Sequence, residues 1–155
     1  MRQAFTLIEL LAVTVLIGIV ASLAALTLRS HIDNIQLQRA VDRLSEADRI
    51  ARQVALAKPA GRTYLELLPK EFLVQPSGRR IVLPSSVTAK RINLNSGRSI
   101  SKRRLSYSDS GQSETYMLEF RTAKLRRWVA VLGLSGQVIL LDSPEQARQL
   151  VGGGT

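Results

Sequence analysis

The sequence lacks cysteine and has almost no histidine, and these absences remove several classes of function. Its 155 residues include no Cys and one His, His31. A disulfide framework, a zinc–thiolate site, thiol catalysis and a multi-histidine metal site are therefore excluded. The chain also contains no GxSxG, HExxH, GxGxxG or Walker loop, the motifs that accompany several large enzyme classes. We expect a protein that is not an enzyme and that uses no metal and no cofactor.

Acidic residues are few relative to basic ones. The chain has 12 Asp and Glu against 22 Lys and Arg, which gives a formal net charge of +10 with histidine neutral. This balance favours acidic partners such as nucleic acid, anionic lipid or an acidic protein surface. The length suits one domain with a modest core and is too short for two full domains.

Charge is absent from one long stretch near the amino terminus. Residues 10–28 are nineteen consecutive residues with no formal charge. A hydrocarbon core requires about 20 apolar residues of helix, so this stretch predicts a membrane span. A cleavable secretory signal has a shorter apolar region. A plain anchor helix leaves Glu9 unexplained, because a carboxylate inside a span is costly and is by default a functional group.

The residues around Glu9 resemble a known processing signal. Residues 5–11 read FTLIELL, and the apolar run follows at once. This segment resembles the signature of class III prepilin signals, which occur on type IV pilins and type II secretion pseudopilins, although Ala4 stands where the family usually has glycine. The resemblance implies that a prepilin peptidase cuts between Ala4 and Phe5 and methylates the new Phe5 amine. It also implies that Glu9 pairs with the amino-terminal ammonium of a neighbouring subunit, a cation that a buried carboxylate needs.

Helical periodicity continues beyond the apolar run and ends near Pro59. Small and apolar residues at 40, 44, 47, 51 and 54 recur at steps of three and four, which predicts one buried face. Pro59 and Gly61 then end the helix. The rest of the chain has short, strand-like segments separated by turn residues, at 62–68, 71–75, 79–83, 86–94, 105–108, 114–121, 125–132 and 137–141, followed by a short helix at 145–151.

These patterns predict an α+β fold in which a long N-terminal helix packs on an antiparallel β-sheet domain. The predicted organisation is a leader at 1–4, a transmembrane half of the helix at 5–29, an amphipathic half at 30–58, a β-rich domain at 59–151 and a flexible tail at 152–155. Three segments resemble the H-type minor pseudopilins and their minor-pilin relatives: 44–52 (LSEADRIAR), 105–111 (LSYSDSG) and 128–138 (WVAVLGLSGQV).

The resemblance implies a pilin-like protein with a single membrane span. It would lie in the bacterial inner membrane with its C-terminal domain in the periplasm. Its partners would be the prepilin peptidase, sister pilins or pseudopilins in a filament, and membrane lipid. The implied function is that of a minor pseudopilin of a type II secretion-type filament, and the alternative is a type IV pilus minor pilin that binds DNA.

One stretch of the β-rich region is strongly basic. Between residues 79 and 104 there are eight cations and no acid: Arg79, Arg80, Lys90, Arg91, Arg98, Lys102, Arg103 and Arg104. They are typical either of a solvated surface or of an anion groove that binds DNA phosphates without sequence preference. In the second case Tyr107 lies near enough to stack on a base. A third interpretation is docking onto an acidic neighbour.

Overall fold

A single long helix and eight strands make up the fold. The computed structural model describes residues 7–57, 62–93, 99–100, 104–143 and 145–146. The predicted leader, Phe5, the tail and most of the predicted C-terminal helix lie outside these residues. The elements are α1 (Leu7–Ala57), β1 (Thr63–Leu67), β2 (Glu71–Gln75), β3 (Arg79–Val82), β4 (Thr88–Ile92), β5 (Arg104–Tyr107), β6 (Tyr116–Arg121), β7 (Arg126–Val131) and β8 (Val138–Leu141).

Helix α1 is continuous over 51 residues, which corresponds to about 76 Å at 1.5 Å per residue. It contains no proline and one glycine, Gly18, so nothing in it removes a helical hydrogen bond. The hydroxyls of Thr14 and Ser22 donate to the carbonyls of Leu11 (2.9 Å) and Gly18 (2.8 Å) in the preceding turn, which satisfies these polar groups within the apolar segment. In the part of the chain that the structure describes, no helix is long and apolar enough to cross a membrane.

The C-terminal half of α1 packs on the β-rich region through the predicted face. Ala40, Leu44, Ala47 and Ala51 are fully buried, and Val54 is partly buried against the same core. The alanines let the helix lie close to the strands, mainly β1 and β2. This confirms the periodicity read from the sequence.

The strands form two antiparallel sheets with four strands each, in the orders β3-β2-β1-β5 and β4-β6-β7-β8. Side chains alternate between the core and the outside along β1, β2 and β5, as at Leu65 and Leu67 on β1. The rings of Phe72 and Phe120, one from each sheet, meet edge to face at 6.5 Å between centroids. Both sheets and α1 therefore share one hydrophobic core.

Candidate functional site

The N-terminal half of α1 projects from the domain, and its large apolar side chains from Leu7 to Leu23 are exposed. Between Leu7 and Leu23 the large apolar side chains are 47–86% exposed, whereas the core begins at Leu37, which is 1% exposed. The projecting part from residue 7 to residue 36 is about 45 Å long. The row of exposed apolar side chains from Leu7 to Leu23 marks a site of contact with membrane or protein.

Glu9 lies in the first turn of this projecting helix. The helix macrodipole favours a negative charge at that end. Its neighbours Ile8 and Leu10 are large exposed apolar side chains. A contact that covers them would also take the Glu9 carboxylate out of water, and a buried carboxylate requires a cationic partner. The structure thus places the predicted assembly residue within the exposed apolar surface, while Ala4 and Phe5 lie outside the described residues.

A second polar site lies at the other end of the helix, where Asp48 is buried. Asp48 is 2% exposed, and its Oδ1 accepts hydrogen bonds from the hydroxyls of Tyr107 at 2.7 Å and Tyr116 at 3.1 Å. Its Oδ2 accepts from Nε of Arg52, one helical turn further on. The charge of Asp48 is therefore fully partnered, as a buried carboxylate must be.

Arg52 extends this network to two loops of the β-rich region. Its Nη1 donates to the carbonyls of Gly111 and Gly133, both at 2.9 Å. Its guanidinium carbon lies 5.6 Å from the centroid of the Tyr107 ring, over its face. A planar fork with five donors suits this arrangement better than an ammonium group does. Arg52 thereby holds the loop after β5 and the loop after β7 against α1.

Glycine is required where the second loop passes the network. Gly136 has φ +73°, and a Cβ there would lie 2.8 Å from Arg52 Nε and 3.1 Å from Asp48 Oδ2. Gly133 packs closer still, because a Cβ added there would lie 2.0 Å from the carbonyl oxygen of Ser113. The Gly-Leu-Ser-Gly turn therefore fits closely around the Asp48–Arg52 pair.

Both tyrosines of the network remain neutral donors. Burial, assisted by the charge of Asp48, raises the pKa of Tyr107 above its ordinary value. Burial likewise raises the pKa of Tyr116, with Tyr107 and Asp48 adding to the effect. Their protons are thus held on the hydroxyls that face Asp48. The arrangement is a structural clamp, since each polar group is satisfied within the network.

The described members of the basic stretch are spread over both sheets. Arg79 and Arg80 lie on β3 and Arg104 on β5, at opposite edges of the first sheet. Lys90 and Arg91 lie on β4, an edge of the second sheet. Three further cations, Arg98, Lys102 and Arg103, lie outside the described residues.

Among the described residues, ion pairs join Arg79, Arg80, Arg91 and Arg104 to acidic side chains, and Lys90 lies opposite Glu119 on β6. The ion pairs are Arg79–Glu46 at 3.5 Å, Arg80–Glu71 at 3.2 Å, Arg91–Glu114 at 3.0 Å and Arg104–Glu66 at 3.7 Å. Arg91 is 8% exposed, so it is a buried structural cation. The other three side chains are 59–65% exposed.

Comparisons with known proteins give a match to the amino-terminal segment and a match to the fold. The family described as the prokaryotic N-terminal methylation motif matches residues 1–25. The structure is similar to the type IV minor pilin FimU of Pseudomonas aeruginosa, with a TM-score of 0.50 and 16% identity over 73% of this chain and 92% of FimU. The chain is type IV pilin-like in motif and in fold. No curated protein sequence matches it.

Two sequence predictions for this pilin-like protein are confirmed. The methylation motif confirms the prepilin-type amino terminus, and it implies processing by a prepilin peptidase and assembly with other pilins. The shared fold confirms the α+β architecture with a long N-terminal helix on antiparallel sheets.

Sequence reasoning missed the clamp and misread one of its members. Asp48 and Arg52 received no role, although Asp48 falls four residues after Leu44 and three before Ala51, on the buried face of the helix. The expectation that Tyr107 stacks on a base is wrong, because Tyr107 is 6% exposed and its hydroxyl binds Asp48. The three segments that resemble H-type pseudopilins meet in this clamp.

Proposed function

We propose that this pilin-like chain is a minor pseudopilin of a type II secretion-type filament. A prepilin peptidase removes residues 1–4 and methylates Phe5. The chain is held in the bacterial inner membrane with its C-terminal domain in the periplasm, and it joins the filament through the N-terminal half of α1. Its role is structural rather than enzymatic. The observation that carries the proposal is the projecting apolar surface with Glu9 inside it.

The chemistry of assembly follows from two groups at the end of α1. Cleavage creates an α-amine at Phe5, whose reference pKa of about 8 keeps it mostly cationic at neutral pH. When helices pack side by side, the Glu9 carboxylate loses water and requires a cation. The ammonium of a neighbouring chain supplies that charge. The apolar side chains around Glu9 exclude water and so strengthen the attraction between the two groups.

Replacement of Glu9 by alanine tests this proposal, with Asp42→Ala as a matched control on the solvent-facing side of the same helix. The Glu9→Ala chain should reach the membrane as the native chain does, because a neutral residue inserts more easily than a carboxylate. It should be cleaved normally but be absent from filaments recovered from the cells. The Asp42→Ala chain should enter filaments like the native one. Normal incorporation of the Glu9→Ala chain would refute the proposed role of Glu9.

A DNA-binding minor pilin of a type IV pilus is the second candidate. It is favoured by the exposure of Arg79, Arg80 and Arg104, although each of these side chains forms an ion pair with a glutamate, which leaves less positive charge for DNA. If the basic stretch binds DNA, the full-length chain in detergent should bind duplex DNA without sequence preference, and its affinity should fall steeply with salt. The double change Arg103→Glu and Arg104→Glu should abolish the binding. No binding at low salt would remove this candidate.

A further inference from the structure

Strand β7 runs alongside the C-terminal half of α1. At the start of the strand, Nη1 of Arg127 donates to Oε1 of Gln38 at 3.3 Å, and just past its end the carbonyl of Gly133 accepts from Arg52 at 2.9 Å. Gln38 and Arg52 are fourteen residues apart, about 21 Å along a helix, and the six residues from Arg127 to Gly133 span about 20 Å when extended. The strand and the helix are therefore nearly parallel and run in the same direction.

This alignment places the turn between β6 and β7 on the N-terminal side of Gln38. The turn, residues 122–125, is closed by hydrogen bonds between Thr122 and Leu125. It precedes Arg127 in the chain, so it lies beyond Gln38 in the direction of the projecting half of α1. We name these four residues the β6–β7 turn.

The uncharged run at residues 10–28 ends close to the β6–β7 turn. Gln38 lies ten residues after Leu28, which is about 15 Å along the continuous helix, and the turn is about 3–7 Å nearer to Leu28 than Gln38 is. With residues 10–28 in the hydrocarbon core of a membrane, the turn lies about 8–12 Å from that core. The headgroup layer fills about 5–7 Å of this distance, and the four-carbon stem of a lysine reaches across the remainder.

The β6–β7 turn and the residues beside it carry cations and no acid. Residues 121–127 read RTAKLRR, and Arg121, Lys124 and Arg126 are exposed. Arg126 forms an ion pair with Glu119 at 3.8 Å. Arg121 and Lys124 form no ion pair with any residue that the structure describes, so their charges are available to a partner at this end of the domain.

Acidic residues near the same end lower its net charge. Asp33 on α1 is half-buried, and Asp142 and Glu145, which follow β8, are exposed. Asp142 comes directly after Leu141, which pairs with Trp128, so Asp142 is about level with Arg127 and farther from residue 28 than the turn is. The position of the β6–β7 turn above residues 10–28, rather than the net charge of the whole end, therefore selects the partner.

We propose that, before the chain enters a filament, the β6–β7 turn rests in the headgroup layer of the membrane that holds α1, with Lys124 and Arg121 against the phosphates of anionic phospholipids. The inference rests on the proposed function, because the anchoring of α1 in a membrane belongs to it. Anionic headgroups attract lysine and arginine side chains that lie next to the membrane surface. The anchored helix and the bound turn together would hold the domain at one height and one rotation above the bilayer.

Single fluorescent probes test the proposal, since the chain has no cysteine of its own. Separate variants place the probe at Ala123→Cys in the β6–β7 turn, at Leu134→Cys beyond the other end of β7, and at Leu16→Cys in the uncharged run. Each full-length chain is reconstituted into vesicles of equal parts phosphatidylcholine and phosphatidylglycerol, with a nitroxide quencher either on the headgroups or deep in the acyl chains.

The headgroup nitroxide should quench the Ala123→Cys probe at least threefold more than the matched Leu134→Cys probe. Both positions are exposed, but Arg52 holds the turn that contains Leu134 at a level about 36 Å along the helix from Leu28. Equal quenching of the two probes would overturn the proposal.

Charge reversal tests the chemistry of the contact. In the Ala123→Cys chain, Lys124→Glu should lower the headgroup quenching about twofold or more, because it reverses the charge that faces the phosphates. The control is Arg62→Glu, an exposed cation at the start of β1, where Thr63 pairs with Tyr107 at the clamp end of the domain. It should leave the quenching unchanged. Quenching that is unaffected by Lys124→Glu would also overturn the proposal.

The Leu16→Cys probe separates this inference from the proposed function. Quenching of this probe by the acyl-chain nitroxide, with no headgroup quenching at Ala123→Cys, would leave the anchored helix standing and overturn the headgroup contact. No quenching of the Leu16→Cys probe would overturn the membrane anchoring and, with it, the headgroup contact.

Discussion

Replacement of Asp48 by asparagine tests the clamp between the helix and the two loops. The substitution keeps the shape of the side chain and removes its charge. The remaining amide oxygen can still accept from the hydroxyls of Tyr107 and Tyr116. The amide nitrogen, however, then occupies the position of Oδ2, where it faces the donating Nε of Arg52. Two donors oppose each other at that point, and the guanidinium loses its counter-charge.

The size of the effect follows from these contacts. A hydrogen bond between charged groups contributes about 1.5–3 kcal/mol, and removal of one partner of a buried ion pair costs about 3–5 kcal/mol. The side chain of Arg52 is 14% exposed and keeps its bonds to Gly111 and Gly133, so the lower part of that range applies. We expect Asp48→Asn to lower the free energy of unfolding by about 3 kcal/mol, a large share of the roughly 5–15 kcal/mol typical of a domain.

Urea unfolding of the full-length chain in detergent measures this loss, with the fluorescence of Trp128, the only tryptophan, as the signal. Asp42→Asn is the matched control, because Asp42 lies on the same helix and its carboxylate accepts an exposed 3.4 Å bond from Gln38. The control should cost less than about 0.5 kcal/mol. A difference between the two variants of under about 1 kcal/mol would refute the reasoning.

Two further predictions concern the same clamp. Because burial raises the pKa of Tyr107 and Tyr116, they ionise in the unfolded chain near pH 10 but not in the folded one. The stabilisation that the two neutral tyrosines contribute is thus complete below about pH 10. Above that pH, urea unfolding should show the free energy of unfolding falling by up to about 2.7 kcal/mol per pH unit, and Tyr107→Phe should halve this slope. Gly136→Ala should destabilise the chain by about 1–2 kcal/mol more than Gly78→Ala, since both glycines have positive φ but only at Gly136 would a Cβ meet the clamp. An equal cost of the two alanines, or a pH-independent free energy of unfolding, would contradict these predictions.

Local patterns predicted the elements of this fold well. The apolar stripe of α1 is the buried face, and the strand at 71–75 has the bounds of β2. Pro84 separated two predicted strands, and in the structure those strands, β3 and β4, belong to different sheets. The pairings of β1 with β5 and of β4 with β6 were not predictable, because they join segments distant in sequence and depend on how both sheets cover one helix.

Glu9 and the Asp48–Arg52 pair also differ in how far the sequence predicts them. Glu9 is part of a contiguous motif, so the sequence alone indicates it. Asp48 acts through residues 59 and 68 positions away, and Arg52 through carbonyls 59 and 81 positions away. Every residue type has a backbone carbonyl, so the sequence does not show which carbonyls accept from Arg52. A carboxylate within an apolar helical stripe was the only local sign of the clamp.

The most direct test of the central claim is the intact mass of the chain recovered from membranes of cells with and without an active prepilin peptidase. With the peptidase, the chain should lack residues 1–4 and carry one methyl group on the amine of Phe5. Without the peptidase, it should keep its full length and no methyl group. Recovery of only the full-length, unmethylated chain from cells with the active peptidase would contradict the account.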